Sequence, residues 1–353
     1  MPRGPPEAKA AGRSVTGCSA LRVYLRCERR AAGHVRRVRR RGGDDPLRAL
    51  LQPRRAPGAL ERRPRLLRAI AIAVATQVLL LPLLIAAGIA NVERSAQAGG
   101  PALLPVAQLV GGVGFGAGMA LVGGCVTGML WKAGAGAVAL GIAIAGFAAG
   151  ELLIRGPREG MIAALDDASR PGEHALTGLL GAGYTPLALV LGAAAFGLLL
   201  RRGLAGLVAG IALGTAATVT WVAADAAGYN YGLGFVGAAE GTRAAIGSGQ
   251  ALPFPFWLAL GVIAGGAALG ERRLRIPDGA RAWRALAGGV LMGAGGSVAH
   301  GCNIGHGLTG LPLLSLGSLL ATASMAAGAL PARPATRAAR TRELLDALMT
   351  RTG

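Results

Sequence analysis

The sequence predicts an all-α, polytopic membrane protein of about eight spans. It also predicts an internal inverted repeat with Gly-Cys turns or re-entrant helices near the midplane. Three observations carry this. Only 15% of the 353 residues are charged and 52% are hydrophobic, whereas a soluble domain carries about a quarter charged residues. Uncharged runs of membrane length recur along the chain with Gly and Pro inside them, the pattern of membrane-helix bundles. Finally, one frame occurs twice: Gly116-Ala117-Gly118, five residues, then Gly124-Cys125-x-x-Gly128, and Gly293-Ala294-Gly295, five residues, then Gly301-Cys302-x-x-Gly305. Glycine matches are cheap in a chain with 59 of them, but a second match at one of only four cysteines is not. Such self-similarity is the mark of an internal repeat.

Residues 1–65 have no apolar period and hold several arginine runs, Arg36-Arg37, Arg39-Arg40-Arg41, Arg54-Arg55 and Arg62-Arg63. Before Ala69, eighteen arginines and Lys9 face five acids, which is +14 of the net +20. Two readings stand for this head: a disordered basic tail against anionic lipid, or an artefact of the gene model. Nucleic acid is not the expected partner, since Tyr24 is the only aromatic among these arginines and no binding motif is present. A secretory leader is not expected either, because the first apolar run starts late and runs long.

The transmembrane domain is expected over 66–330. Residues 66–90 form the first span, close to the ~20 residues that cross a hydrocarbon core. The second, 101–123, runs straight into the first Gly-Cys turn. Residues 135–153 give the third span, and 155–185 read as a mixed-charge surface loop. Residues 186–200 and 204–224 form a hairpin through Arg201-Arg202-Gly203, and 225–253 read as another polar loop. Residues 254–270, 283–299 and 311–330 complete about eight spans, followed by a basic cytoplasmic tail over 331–353. With aromatic content at 4%, helix ends are placed by charge rather than by a Trp/Tyr belt. The positive-inside rule then puts both termini, Lys132, Arg201 and Arg202 and the Arg272–Arg284 stretch in the cytoplasm. The spans before Cys125 and Cys302 run in opposite directions on this count, as in inverted-repeat transporters. The 155–185 loop is a partial exception, since it carries Arg155, Arg158 and Arg170 on the opposite side.

The candidate site is the pair of turns. Irregular backbone at membrane depth survives only where protein or a polar cavity surrounds it. Gly124, Gly128, Gly301 and Gly305 permit such turns, and helices starting after them aim N–H groups at an anion. Lys132 and His306 add positive or switchable charge, while Cys125 and Cys302 add polarizable sulfur and weak S–H donors. Thr127 and Asn303 supply hydrogen bonds, there or simply between helices. Glu151 and Asp225 are the only acids near membrane depth, so a small sulfur-containing anion suits the site better than a cation. No CxxC, zinc spacing or cofactor motif is present, so no metal and no cofactor are expected.

His300-Gly-Cys-Asn-Ile-Gly-His-Gly-Leu-Thr-Gly310 with Leu314-Ser-Leu-Gly-Ser-Leu319 closely resembles the C-terminal signature of the YeeE/YedE family of sulfur-transport membrane proteins. Gly123-Gly-Cys-Val-Thr-Gly128 resembles that family's earlier motif, and Tyr231-Gly-Leu-Gly-Phe-Val-Gly237 its middle segment. The resemblance implies thiosulfate uptake across the bacterial inner membrane through an hourglass-shaped protein. Cys125 and Cys302 would be waist thiols that pass the anion along by transient S–H···S contacts, with no net redox chemistry and no enzymatic turnover. It also suggests a cytoplasmic sulfur-carrier or sulfurtransferase partner. The chain departs from the family where an additional N-terminal apolar Cys segment is usual, because the Arg-rich head, with Cys18 and Cys27, stands there instead. Two other readings stay open: a membrane sulfurtransferase or thiol-redox protein, and a non-transporting scaffold for a sulfur carrier.

Overall fold

The computed structural model describes residues 64–89, 103–166, 176, 180–181, 183–204, 206–229, 231–270 and 274–330. The tails expected over 1–65 and 331–353 lie outside these residues, except Pro64 and Arg65, which open the first helix. All eight expected spans are helical over most of their length. They are α1 (Pro64–Ala86), α2 (Pro105–Val122), α4 (Val138–Ile154), α6 (Tyr184–Arg201), α7 (Leu207–Ala226), α9 (Phe254–Leu269), α10 (Gly279–Ala299) and α11 (Leu316–Ala329). Among the described residues four helices are long and apolar enough to cross a bilayer, and a fifth span arises if α4 and the helix after it count as one bent unit. The chain is a multi-pass, all-α membrane protein.

Three further helices lie where sequence reading sees turns or loops. Helix α3 (Val126–Gly134) fills the stretch after Cys125, α5 (Arg158–Asp166) follows α4 at a bend of 71°, and α8 (Ala238–Ser248) occupies the supposed polar loop 225–253. The last span is also shorter than expected. Its first residues form a 3-10 turn (Leu311–Leu313), so α11 begins only at Leu316, and the turn before it contains a π-helix (Gly305–Gly310). Neither post-cysteine stretch is therefore a simple loop. Single turns of π-helix are rare and concentrate at functional sites.

The two repeats fold alike. Each has a long helix (α2 or α10), a left-handed cap (Gly123 or His300), the cysteine, a short helical piece, a second left-handed residue (Gly136 or Leu314) and another helix (α4 or α11). His300 at φ 61° and Leu314 at φ 58° are the only non-glycine residues with positive φ among those described. Side chains rarely adopt this region, and the first repeat places glycine at both equivalent positions.

Close packing shows how the repeats are related. A Cβ on Gly111 would lie 2.6 Å from Ala299 N, and one on Gly288 would meet Leu121, Val122 and Gly118 O at 2.8–3.0 Å. Gly118 in turn meets Gly288 O and Met292, while Gly295 meets Gly111 O and Phe115 N. Helices α2 and α10 are thus antiparallel, and an offset of 177 exchanges one set of contacts for the other. The outer helices follow suit. Gly150 in α4 would clash with Val290 O at 2.2 Å, and Gly328 in α11 with Val113 O at 2.2 Å. A two-fold axis that swaps antiparallel helices is perpendicular to them, and for spanning helices it lies in the membrane plane. These contacts are of the small-residue kind that lets membrane helices approach backbone to backbone.

Candidate functional site

Cys125 caps α3 in extended conformation, φ −83° and ψ 171°, with no side-chain cap on the exposed N–H groups of that helix. Its thiol is half-buried. A Cβ on Gly128 would lie 3.6 Å from Cys125 Sγ, an ordinary contact, and one on Gly124 would meet nothing within 4 Å. Thr127 sits on the first turn of α3 with its Oγ1 buried and without a hydrogen-bond partner among the described residues. Lys132 is exposed in the last turn of α3, seven residues beyond Cys125. That is about 10 Å along the helix axis.

Cys302 is fully buried. Gly305 N–H donates to its Sγ at 3.3 Å, and the N–H groups of Ile304 and Phe235 are also directed at it. Cys125 lies close enough to interact with it electrostatically. Cys302 belongs to one core with Met129, Phe235, Phe115 and Met292, and Val126, the residue after Cys125, joins the same core. Asn303, next to Cys302, has a buried Oδ1 with no partner among the described residues. Buried polar atoms are nearly always satisfied; the Thr127 hydroxyl can donate to an anionic guest, whereas the Asn303 oxygen can only accept.

His306 is fully buried and fixed from two sides. Ala299 O accepts from Nε2–H at 3.0 Å, and Ser318 Oγ lies 3.1 Å from Nδ1. Gly301 makes room for this ring, since a Cβ there would sit 2.7 Å from Nε2. Gly305 similarly makes room for Tyr231, with 2.7 Å between its would-be Cβ and Tyr231 Oη. The glycines of the second turn are therefore required by neighbours, whereas Gly124 and Gly128 of the first are not. The imidazole ties the end of α10 to the start of α11 across the turn that carries Cys302. His300 is exposed and serves as the left-handed cap of α10.

The 231–237 stretch, singled out in the sequence only by its family resemblance, packs against the second turn. Phe235 of the 231–237 stretch supplies one N–H to Cys302, and Thr309 Oγ1 donates to Leu233 O at 2.8 Å. The stretch is held at its far end by Glu151, buried in α4, whose two oxygens accept from Gly237 N at 2.9 Å and Ala239 N at 3.0 Å. Arg155 and Arg158 reinforce this with bonds of 3.0 Å each to Glu240 of α8. The signal was available, since Glu151 is an acid in an apolar span and such residues mark functional sites. Its partners are backbone groups more than 80 residues away, which no spacing reveals.

Comparison with known proteins follows the same residues. A family model described as sulphur transport matches residues 58–330. The thiosulfate transporter TsuA of Escherichia coli (strain K12) is 28% identical over 278 residues, covering 69% of this chain and 76% of that protein. The thiosulfate transporter TsuA of Spirochaeta thermophila (strain ATCC 700085 / DSM 6578 / Z-1203) is 29% identical over 243 residues, covering 62% of this chain and 73% of its own length.

Proposed function

The chain belongs to the sulphur transport family, and from that premise we propose that it imports thiosulfate, or a closely related sulfur oxyanion, through the bacterial inner membrane past Cys125 and Cys302. The observation that carries this reading is the buried Cys302 thiol, in a core that Val126 of the first Gly-Cys turn also joins, with the backbone N–H groups of Gly305, Ile304 and Phe235 turned toward its sulfur. With its lone pairs engaged, the Cys302 thiol is left to present its proton to a guest. A soft terminal sulfur takes such a weak S–H donor well, while the anion's oxygens suit the uncapped N–H groups of α3 and the buried Thr127 hydroxyl. Transfer between two thiols by hydrogen bonding makes and breaks no covalent bond, so the reading assigns no enzymatic step.

The similarity to transporters named for thiosulfate supports the substrate. The arginine distribution supports cytoplasmic termini, and the same reading extends to a cytoplasmic sulfur-carrier or sulfurtransferase protein that takes the anion on. The test is growth on thiosulfate of a bacterial strain lacking its own thiosulfate and sulfate importers. Rescue by this chain, lost in Cys302→Ala with the protein still in the membrane, is the expected result. Equal rescue by Cys302→Ala would overturn the role given to the thiol.

A further inference from the structure

A cavity of about 500 Å³ lies beside the first turn. Its wall includes Val122 and Gly123, which lead into Cys125, the start of α4 at Ala137, Ala139 and Leu140, and three arginines, Arg275, Arg281 and Arg284. Among the described residues no carboxylate lines it. Asp278, between Arg275 and Arg281 in sequence, is engaged as the cap of α10, accepting from Arg281 N at 2.7 Å. The arginines are set on fixed backbone. Arg275 pairs with the α3–α4 connection through Arg275 N to Gly136 O at 2.9 Å and Val138 N to Arg275 O at 3.3 Å. Arg281 and Arg284 stand three residues apart in α10 and so share a helix face. A water's share of liquid volume is ~30 Å³, which leaves room here for an oxyanion together with water.

We propose that this cavity is a second oxyanion site, separate from the thiols, that holds the sulfur anion beside the Cys125 turn by its oxygens. The inference rests on the transport reading for the anion's identity, but the chemistry of the site is its own. Guanidinium groups recognise tetrahedral oxyanions through forked, charge-assisted bonds, and Arg275 and Arg281 on one wall raise the local anion concentration. The site reads oxygens and not sulfur, so it takes sulfate as well as thiosulfate. The thiols discriminate and the arginines do not.

The test is binding of radiolabelled sulfate and thiosulfate to the purified full chain in nanodiscs of zwitterionic lipid. Wild type, Cys302→Ala, Arg275→Gln/Arg281→Gln and the triple variant are compared, each checked for monodisperse elution. The expected result is sulfate binding that survives Cys302→Ala and weakens about tenfold or more in the arginine variant, with a steep fall as salt rises. Sulfate binding equal in wild type and arginine variant overturns the proposal, whatever the uptake assay gives. An arginine-dependent response to anionic lipid, with none to free sulfate, overturns it in favour of a headgroup site. Loss of thiosulfate import in the wild type would instead strike the transport reading and leave the sulfate result standing.

Discussion

Replacing Glu151 by glutamine should uncover Cys302 without touching it. The carboxylate gives one oxygen to each of two N–H groups, Gly237 at 2.9 Å and Ala239 at 3.0 Å, in a buried setting. Glutamine keeps one acceptor and turns an NH2 toward the other donor. One buried N–H is then unpaired, which costs about 1–3 kcal/mol, and a charge-assisted bond is also lost. The cost falls on the 231–237 segment, the cover that brings Phe235 N–H to Cys302. If the segment opens and recloses faster than a probe reacts, labelling follows the open population. A shift of 1–3 kcal/mol then speeds alkylation of Cys302 by roughly 5- to 150-fold. The assay is maleimide labelling in membranes with peptide mass mapping, so that Cys302 is resolved from Cys125, Cys18 and Cys27. Glu151→Asp, which retains both oxygens, should lie between wild type and glutamine. Unchanged Cys302 labelling in Glu151→Gln would refute the clamp.

The remaining predictions follow from the packing and the left-handed positions. Gly150→Ala and Gly328→Ala each drive a Cβ to 2.2 Å from a facing carbonyl, and each should lower the thermal midpoint by the equivalent of about 1–3 kcal/mol. Gly141→Ala, with open space around it, should leave the midpoint within error. Leu314→Gly relieves a side chain at φ 58° and should keep the melting midpoint or raise it by up to ~1 kcal/mol in stability; clear destabilisation would mean that the leucine's packing outweighs the strain. His306→Ala strips Ser318 Oγ and Ala299 O of their buried partner and should cost about 1–3 kcal/mol, measured by thermal unfolding in detergent.

Much of this architecture was legible because membrane helices and repeats leave local marks. The apolar runs place the eight long helices, and the doubled Gly-Cys frame anticipates a relation that the exchange of Gly111–Ala299 for Gly288–Val122 bears out in packing. Composition was a poorer guide near the surface. Helix α8 contains Glu240, Thr242, Arg243 and three glycines or serines, and reads as loop because its order comes from Glu151, Arg155 and Arg158 on other elements. The π-helix at Gly305–Gly310 and the left-handed His300 and Leu314 were equally hidden, since neither conformation follows from residue type there. Of the candidate site residues, Cys302, Gly301, Gly305 and His306 form one buried, closely packed unit, and Cys125 stands within electrostatic range of it. Lys132 lies at the far, exposed end of α3. Its charge marks the end of a helix.

The most direct measurement is flux of radiolabelled thiosulfate into proteoliposomes holding the purified chain, wild type against Cys302→Ala and Cys125→Ala. Saturable thiosulfate entry in the wild type, abolished in Cys302→Ala and strongly reduced in Cys125→Ala, is the result the two-thiol path predicts. Entry that persists undiminished in both variants, with equal protein incorporated, would contradict it.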